Sequence, residues 1–185
     1  MRIRQATDAD LDAILRIVRL VVPLMQAAGN RQWADDYPDR ETFALDIANG
    51  ELWVAELEAK LAAVVAICGE QSPEYADVGW DLSEPALVVH RLAVDPAFRS
   101  RGVAMALMQH AEELARAQNI PQIRLDTNTT NLAVQKLLDK LGYVYAGEIG
   151  LLRRPGLRFR CYDKSLSVHS DDLPPADPEA RSSLS

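Results

Sequence analysis

The sequence is poor in cysteine, has no long apolar run and carries more acid than base. Cys68 and Cys161 are its two cysteines, and their wide separation fits no metal-ligand spacing and favours two reduced, buried thiols. No stretch approaches the roughly 20 apolar residues of a membrane span. The first ten residues lack the apolar segment of a secretory signal. The sequence therefore predicts a cytoplasmic protein with no metal, disulfide or membrane segment.

The charge balance disfavours a nucleic acid as the partner. The 20 Lys and Arg against 27 Asp and Glu give a formal net charge of −7 over 185 residues. Proteins that bind a phosphate backbone usually present a basic face instead. A hydrophobic fraction of 48% is ordinary for a soluble globular protein, and this length suffices for one domain with its own core.

The periodicity of apolar residues predicts strands and helices in alternation. Pro23 is expected to kink or end the first helix, because proline lacks the amide donor and clashes with the preceding turn. Thr7 with Asp10 resembles a capping box, and Asp39 is a candidate N-cap for a short helix. We expect strands at 1–6, 52–57, 61–69, 86–94, 120–126, 143–149 and 157–164, and the longer helices at 11–22, 103–118 and 131–141.

This order of elements predicts an α/β fold, a single mixed sheet with helices on both of its faces. We expect one domain over residues 1–165. Residues 166–185 are acidic and carry prolines, so we expect a disordered tail there.

One segment between a predicted strand and a predicted long helix has the features of an anion site. Residues 99–104 read Arg-Ser-Arg-Gly-Val-Ala. Unpaired amides at a helix start attract anions, and Gly102 allows close approach of the backbone to a phosphate. Arg99 and Arg101 add positive charge. A short loop of this kind is also common as an ordinary solvent-exposed turn, so its surroundings decide its meaning.

Those surroundings resemble the GCN5-related N-acetyltransferase (GNAT) superfamily over roughly residues 1–164. The segment HRLAVDP at 90–96, followed by Arg99-x-x-Gly102-x-Ala104, is similar to that family's central strand and its Arg/Gln-x-x-Gly-x-Gly/Ala signature. The resemblance implies a mixed, mostly antiparallel sheet with a splayed central strand pair. Asn131 and Gly142-Tyr143 match the later part of the family pattern. Three further pairs resemble a bacterial subgroup of the family: Gln32-Trp33, Tyr37-Pro38 and Asp126-Thr127.

The resemblance also implies acetyl-CoA as the acyl donor and no metal. The backbone of residues 92–94 would pair with the pantetheine amides as an added strand does, and residues 99–104 would hold the pyrophosphate. Asn131 would contact the pantetheine arm; the alternative is a plain helix N-cap, and the residue could do both. The residues expected to bind the donor are Leu92, Ala93, Val94, Arg99, Ser100, Arg101, Gly102, Val103, Ala104 and Asn131.

Acetyl transfer to an amine requires a base and a polarised carbonyl group. His90 takes the position of the catalytic Glu of histone-type relatives, and an imidazole with a pKa of ~6.5 suits proton uptake near neutrality. A core histidine is the alternative for it, and Asp126 and Glu70 are the alternative bases. The resemblance implies direct attack without an acyl-enzyme, with the amide of Leu92 or Ala93 polarising the carbonyl.

The sequence departs from the family pattern at Leu138. Many relatives carry a Tyr four residues before the Gly of the Gly-aromatic pair, where it protonates the leaving thiolate. Tyr143 and Tyr145 are possible substitutes, although core packing suits both. The general acid, if there is one, is therefore left open.

Aromatic residues in loops are candidates for binding the acceptor: Trp33, Tyr37, Tyr75 and Trp80. The sequence predicts an N-acetyltransferase that acts on a primary amine of a small molecule. Two alternatives stay open, a non-catalytic acyl-CoA-binding regulatory module and a protein or peptide N-acetyltransferase. A homodimer is compatible with the sequence. The acceptor and the preferred acyl chain are not encoded in any recognisable motif.

Overall fold

A computed structural model describes residues 1–34 and 37–167. Within these residues one seven-stranded sheet has the order β1-β2-β3-β4-β5-β7-β6. All neighbouring strands are antiparallel except β4 and β5, which are parallel. The mixed, mostly antiparallel sheet is thus confirmed. The strands are β1 (Arg2–Gln5), β2 (Leu52–Leu57), β3 (Lys60–Cys68), β4 (Ala86–Val94), β5 (Gln122–Asn128), β6 (Val144–Gly150) and β7 (Arg158–Ser165).

Four α-helices and three short 3-10 helices connect the strands in the described residues. The 3-10 helices are Asp8–Asp10, Pro73–Val78 and Pro96–Phe98; the α-helices are α1 (Leu11–Ala27), α2 (Arg40–Ala48), α3 (Val103–Ala117) and α4 (Leu132–Leu141). The predicted caps are present. The amide of Thr7 donates to Asp10 Oδ2 over 2.8 Å, and Asp39 accepts from the amide of Thr42 over 2.9 Å.

Of the two outcomes expected at Pro23, a kink or a helix end, the helix end is excluded, because α1 continues through Pro23 to Ala27. Pro23 lies on the exposed side of the helix, as does Arg19, four residues before it. Because proline has no amide hydrogen, residue 23 donates no helical hydrogen bond to the Arg19 carbonyl. That carbonyl faces solvent and can bond to water instead. The opposite side of α1 is held by burial of Ile14, Ile17 and other apolar residues.

Helices cover both faces of the sheet, as predicted. One apolar cluster packs α3 and α4 against one face, through residues such as Leu107 and Leu138. A second packs α1 and α2 on the other face, and a third surrounds Tyr75 beside β7. Both cysteines are free and buried, as predicted.

The predicted tail begins inside the packed structure. Leu166 is buried in the α3 cluster, and its amide donates to the carbonyl of Pro121 over 2.8 Å. Residues 168–185, to which the expectation of disorder applies, lie outside the described residues. None of the described helices is both long and apolar enough to cross a membrane.

The centre of the sheet is open, because β4 and β5 pair over a short distance only. Residues 86–88 lie opposite residues 122–124, and beyond Val88 the two strands have no register partners in each other. The splayed strand pair is thus confirmed. β4 also has a bulge, since His90 lies opposite Ala66 and Ala93 opposite Val64, which leaves one extra residue on β4. The gap and the bulge together form the floor of a cavity.

Candidate active site

A cavity of about 860 Å³ opens where β4 and β5 separate. One part of it, the α3 end, is formed by Val94, residues 98–100 and 102–105, and Asn131, Lys136 and Lys140 of the α4 region. The other part, the loop end, is formed by His90, Asp126, and residues of the α1–α2 and β6–β7 loops. The residues of the loop end are Trp33, Tyr37, His90, Asp126, Arg153 and Arg154.

The α3 end has the geometry of an anion site. Ser100 and Gly102 both have left-handed backbone conformations, with φ of +61° and +77°, and α3 begins directly after them. The amide of Ala106 donates to the Gly102 carbonyl over 3.0 Å, so the amides of residues 103–105 precede the first helical bond. A Cβ at Gly102 would meet no protein atom within 4 Å. Open space therefore faces a row of amide donors at the positive end of a helix.

Most of the residues predicted to hold the donor line this cavity, but Arg101 does not. Arg101 pairs with Glu58 in the β2–β3 turn, and its guanidinium lies 5.5 Å from the Phe98 ring centroid. The acid across the turn thus holds this side chain outside the cavity, and binding of the donor by the backbone amide of Arg101 stays a prediction. The predicted residues that do line the cavity are Leu92, Ala93, Val94, Arg99, Ser100, Gly102, Val103, Ala104 and Asn131.

Asn131 does not act as the side-chain cap of α4. Its side-chain amide donates to Thr127 Oγ1 over 2.9 Å, which fixes it at the lip of the cavity. Lys136 and Lys140 also line the cavity and were missed. They are four residues apart on an amphipathic helix, a pattern that ordinarily indicates a solvent-exposed face.

The β4 bulge is held by a buried ion pair that the sequence did not reveal. Arg91 has a φ of +52°, an uncommon conformation for a residue with a side chain. Its Nε and Nη2 donate to the two carboxylate oxygens of Asp46 on α2 over 2.7 and 2.6 Å, and its Nη1 donates to the Tyr37 hydroxyl over 3.3 Å. Arg91 and Leu92 have no register partner on β3. The bulge thus takes backbone groups of β4 out of the ladder beside the cavity.

Asp126 is a candidate base whose carboxylate is held by a side-chain hydrogen bond. It lies on β5 and lines the cavity, and its Oδ2 accepts from the Tyr75 hydroxyl over 2.7 Å. Burial raises the pKa of the Asp126 carboxyl, while the Tyr75 bond and the charge of Arg153 act in the opposite direction. A carboxylate with a raised pKa is a stronger proton acceptor than an ordinary aspartate.

His90 lines the cavity as predicted, but its chemistry differs from the prediction. Burial first, and then the charges of Arg91 and Arg153, lower the pKa of His90 to about 3. The imidazole is therefore neutral near pH 7 and a weak proton acceptor. The burial of His90 and the nearby charge of Arg153 depend on the fold and are not visible in the sequence, and the lowered pKa does not agree with the expected titration near neutrality.

Three other candidates lie outside the cavity. The side chain of Glu70 is exposed and does not line it. Tyr75 and Trp80 pack edge to face with ring centroids 5.0 Å apart, and Arg124 lies over Trp80. These two rings are therefore packing residues rather than acceptor contacts, because the segment that carries them folds onto the apolar cluster beside β7. Trp33 and Tyr37 line the cavity as predicted.

Leu138 is fully buried in the α3 cluster and does not line the cavity. The residues of α4 that face the cavity include Val134 and Leu137. Tyr143 is buried in the same cluster and Tyr145 is largely exposed on β6, so neither is among the lining residues. Neither Tyr143 nor Tyr145 therefore replaces, inside the cavity, the tyrosine that many relatives carry at the position of Leu138.

Two loops meet above the loop end. The side chain of Gln32 accepts a hydrogen bond from the amide of Asn128 over 3.0 Å, which ties the α1–α2 loop to β5. The guanidinium carbon of Arg154 lies 4.4 Å from the centroid of the Tyr37 ring. Arg153 and Arg154 were missed because Arg-Arg-Pro-Gly between two strands is typical of a solvent-exposed turn.

Comparison with known proteins gives consistent matches. The family described as "Acetyltransferase (GNAT) family" matches residues 16–143. A crystal structure of a GNAT-family acetyltransferase from Streptococcus agalactiae superposes with a TM-score of 0.78 at 30% sequence identity, covering 90% of this chain and 95% of that chain.

Two curated relatives are similar over a shorter stretch. The uncharacterized N-acetyltransferase YesJ of Bacillus subtilis is 25% identical over 142 residues, which are 75% of this chain and 78% of the relative. The N-acetylaspartate synthetase of Xenopus tropicalis is 27% identical over 122 residues, which are 66% of this chain and 41% of the relative. The chain thus spans about two fifths of the length of the first curated relatives that it matches.

Proposed function

Because this chain belongs to the acetyltransferase (GNAT) family, we propose that it transfers an acetyl group from acetyl-CoA to a primary amine of a small molecule. One observation carries the proposal: the same cavity contains an anion site at the start of α3 and the carboxylate of Asp126, whose pKa is raised. The net reaction forms the amide C–N bond and breaks the thioester C–S bond. The nitrogen of the protonated amine loses two protons: the base takes one and releases it to solvent, and the other balances the proton gained by sulfur.

The α3 end fits the charged part of the donor. The open face of Gly102 and the amides of residues 103–105 suit a pyrophosphate, and Arg99, Lys136 and Lys140 supply positive charge beside it. Asn131, held by Thr127, keeps its carbonyl oxygen available to an amide donor. Acetyl-CoA supplies the acetyl group as a thioester.

Asp126 is the proposed base. An acceptor amine is protonated near neutral pH and must lose a proton before it can attack. Asp126 lies in the cavity, its pKa is raised by burial, and the Tyr75 hydroxyl fixes its orientation. The bulge leaves Arg91 and Leu92 without register partners on β3, and a backbone amide there is suited to stabilise charge that develops on the carbonyl oxygen.

The contact of the two loops favours a small acceptor over a protein segment. Arg154 lies over Tyr37, and Gln32 bridges to β5, so the loop end is closed at two points along its length. An extended peptide would have to displace these contacts, whereas a small amine would not. The Xenopus tropicalis relative is also named for a small molecule, N-acetylaspartate.

The test is steady-state release of free thiol from acetyl-CoA with a panel of amines, amino acids, polyamines and peptides. We expect turnover with at least one small amine. Asp126→Asn is expected to lower kcat by roughly 10²-fold or more, with acetyl-CoA binding by calorimetry unchanged. Asp139→Asn, an exposed change of the same kind on α4, serves as the control.

Other outcomes identify the alternatives. Tight acetyl-CoA binding without turnover on any amine would indicate a regulatory binding module. Turnover with peptides alone would indicate a protein or peptide N-acetyltransferase. Full activity of Asp126→Asn would show that the base lies elsewhere.

A further inference from the structure

The charge of the cavity is opposite to that of the chain. Among the lining residues that the structure describes, Asp126 is the sole carboxylate. The chain as a whole has a net charge of −7, so a cationic cavity is not a consequence of composition. Its arginines and lysines are Arg91, Arg99, Lys136, Lys140, Arg153 and Arg154.

Most of this positive charge already has a partner or a proposed ligand. Arg91 is neutralised by its two-point ion pair with Asp46. Arg99, Lys136 and Lys140 belong to the α3 end, where the donor carries its phosphates. Arg153 and Arg154 remain, and both lie at the loop end with Asp126.

Neither of these two arginines forms an ion pair with an acid in residues 1–34 or 37–167. Glu74 is near enough for the charge of Arg153 to lower its pKa. Its carboxylate is nevertheless taken up by the Ser72 hydroxyl over 2.6 Å and the Leu152 amide over 3.0 Å. The charge of Arg153 also lowers the pKa of both Asp126 and His90, so it acts inside the loop end.

From this arrangement we infer that Arg153 and Arg154 form an anion subsite and that the acceptor is an amine carrying a carboxylate group. The inference rests on the proposed function and specifies its acceptor. A simple cationic amine or a polyamine is repelled by two guanidinium groups that form no ion pair with an acid of residues 1–34 or 37–167. An amine with a carboxylate places its ammonium toward Asp126 and its negative charge toward the arginines. The planar guanidinium fork matches a carboxylate in shape as well as in charge.

The stacking of Arg154 on Tyr37 supports this role. The contact holds the guanidinium over the loop end without using its N–H donors, since the ring presents only its face. An arginine oriented in this way loses less side-chain entropy when it binds an anion. A turn that was merely solvent-exposed would not require such an orientation.

The first arm of the test compares each free amino acid of a panel with its carboxamide and with its decarboxylated amine. The carboxamide retains the amine and the side chain and lacks the negative charge. We expect kcat/KM to be at least tenfold higher for the carboxylates. Arg153→Gln and Arg154→Gln are each expected to reduce the carboxylate-to-carboxamide ratio about tenfold, the effect of one charge-assisted hydrogen bond. The ratio is the correct measure, because loss of Arg153 also raises the pKa of Asp126 and so alters turnover on every acceptor.

The second arm measures binding without turnover. Calorimetric titration with N-acetyl amino acids and their amides, in the presence of coenzyme A, should show the same preference and the same loss in both variants. Arg2→Gln removes an equal charge from β1 at one edge of the sheet and should change neither ratio.

The two arms separate the possible failures. A preference for carboxylates in binding, with no turnover on any amine, would support the subsite and contradict the proposed function. The protein could instead acetylate polyamines or carboxamides, with a carboxylate-to-carboxamide ratio of kcat/KM that is the same in Arg153→Gln, Arg154→Gln and the unmodified protein. That result would overturn the subsite and leave the proposed function intact. A phosphorylated amine such as O-phosphoethanolamine preferred to every carboxylate would overturn the assignment of a carboxylate.

Discussion

The hydroxyl group of Tyr75 donates a 2.7 Å hydrogen bond to Oδ2 of Asp126, so a fully buried ring outside the cavity orients the candidate base inside it. This bond stabilises the charged form of Asp126 and lowers its pKa, against the larger effect of burial. In Tyr75→Phe the pKa of Asp126 therefore rises further. The acid limb of the pH–rate profile should move to higher pH, with the rate at high pH least affected. Tyr145→Phe, a change at an exposed ring on β6, should leave the profile in place.

His90 should not control the pH dependence. Because burial and two arginines lower its pKa to about 3, the imidazole carries no charge that could be lost between pH 5 and 8. We expect His90→Gln to change kcat less than tenfold and to leave the shape of the pH–rate profile intact. A profile of the unmodified protein whose histidine-range inflection disappears in His90→Gln would restore this residue as the base.

Gly102 should be required for donor binding and not for folding. Gly102→Glu places bulk and negative charge at the anion site, and we expect acetyl-CoA affinity to fall at least tenfold, about 1.4 kcal/mol. Gly79 is a matched control, with a φ of +81° against +77° at Gly102 and no protein atom within 4 Å of an added Cβ at either position. Gly79→Glu should therefore cause a similar loss of stability with no loss of affinity. Calorimetric titration and thermal unfolding of both variants decide this, and equal affinities would contradict the anion site.

Removing one partner of the ion pair at the bulge should be strongly destabilising. Asp46→Asn leaves the buried Arg91 guanidinium without its counter-charge, which typically lowers the free energy of unfolding by about 3–5 kcal/mol. Asp12→Asn breaks an exposed ion pair with Arg40 and should change the free energy of unfolding by about 0.5 kcal/mol or less. Urea unfolding of the two variants gives the comparison. A small effect at Asp46 would mean that the left-handed conformation of Arg91 does not depend on this pair.

Restoring the family's usual tyrosine at position 138 should not restore an acid. Leu138 is fully buried in the core and does not line the cavity, so Leu138→Tyr overpacks the cluster under α3 and should cost about 1–3 kcal/mol of stability. Turnover should change less than tenfold, because the new hydroxyl does not reach the cavity. Leu45→Tyr, at a largely exposed position on α2 that does not line the cavity, is the control for both measurements. A large gain in turnover for Leu138→Tyr would show that thiolate release lacks an acid in the natural chain.

Features set by short stretches of sequence could be predicted. The caps at Thr7 and Asp39 depend on residues within a turn of each other, and both are present. The anion site at Gly102 was equally local, because a strand, a glycine and a helix start follow one another along the chain. The effect of Pro23 could not be predicted from its neighbours in the sequence. The energetic cost of a proline inside a helix depends on whether the carbonyl left without a helical hydrogen bond, here that of Arg19, faces water.

Features that depend on distant residues could not be predicted. Arg91 and Asp46 are 45 residues apart, and Tyr75 and Asp126 are 51 apart. No periodicity in the sequence links such pairs. The sequence therefore predicted that Tyr75 contacts the acceptor and that His90 takes up a proton near neutral pH. Arg153 and Arg154 were missed for the same reason, because their proximity to Asp126 follows from the pairing of β5 with β7.

The short ladder between β4 and β5 has a consequence for how this protein can change. Three facing residues on each strand join the two halves of the sheet there, and every further residue that paired would add backbone hydrogen bonds at the centre of the molecule. The same residues would close the gap that forms the cavity. Selection for a more robust fold and selection for a usable site therefore act in opposite directions on this stretch. Stabilising substitutions should be tolerated at the outer strands and excluded from the inner ends of β4 and β5.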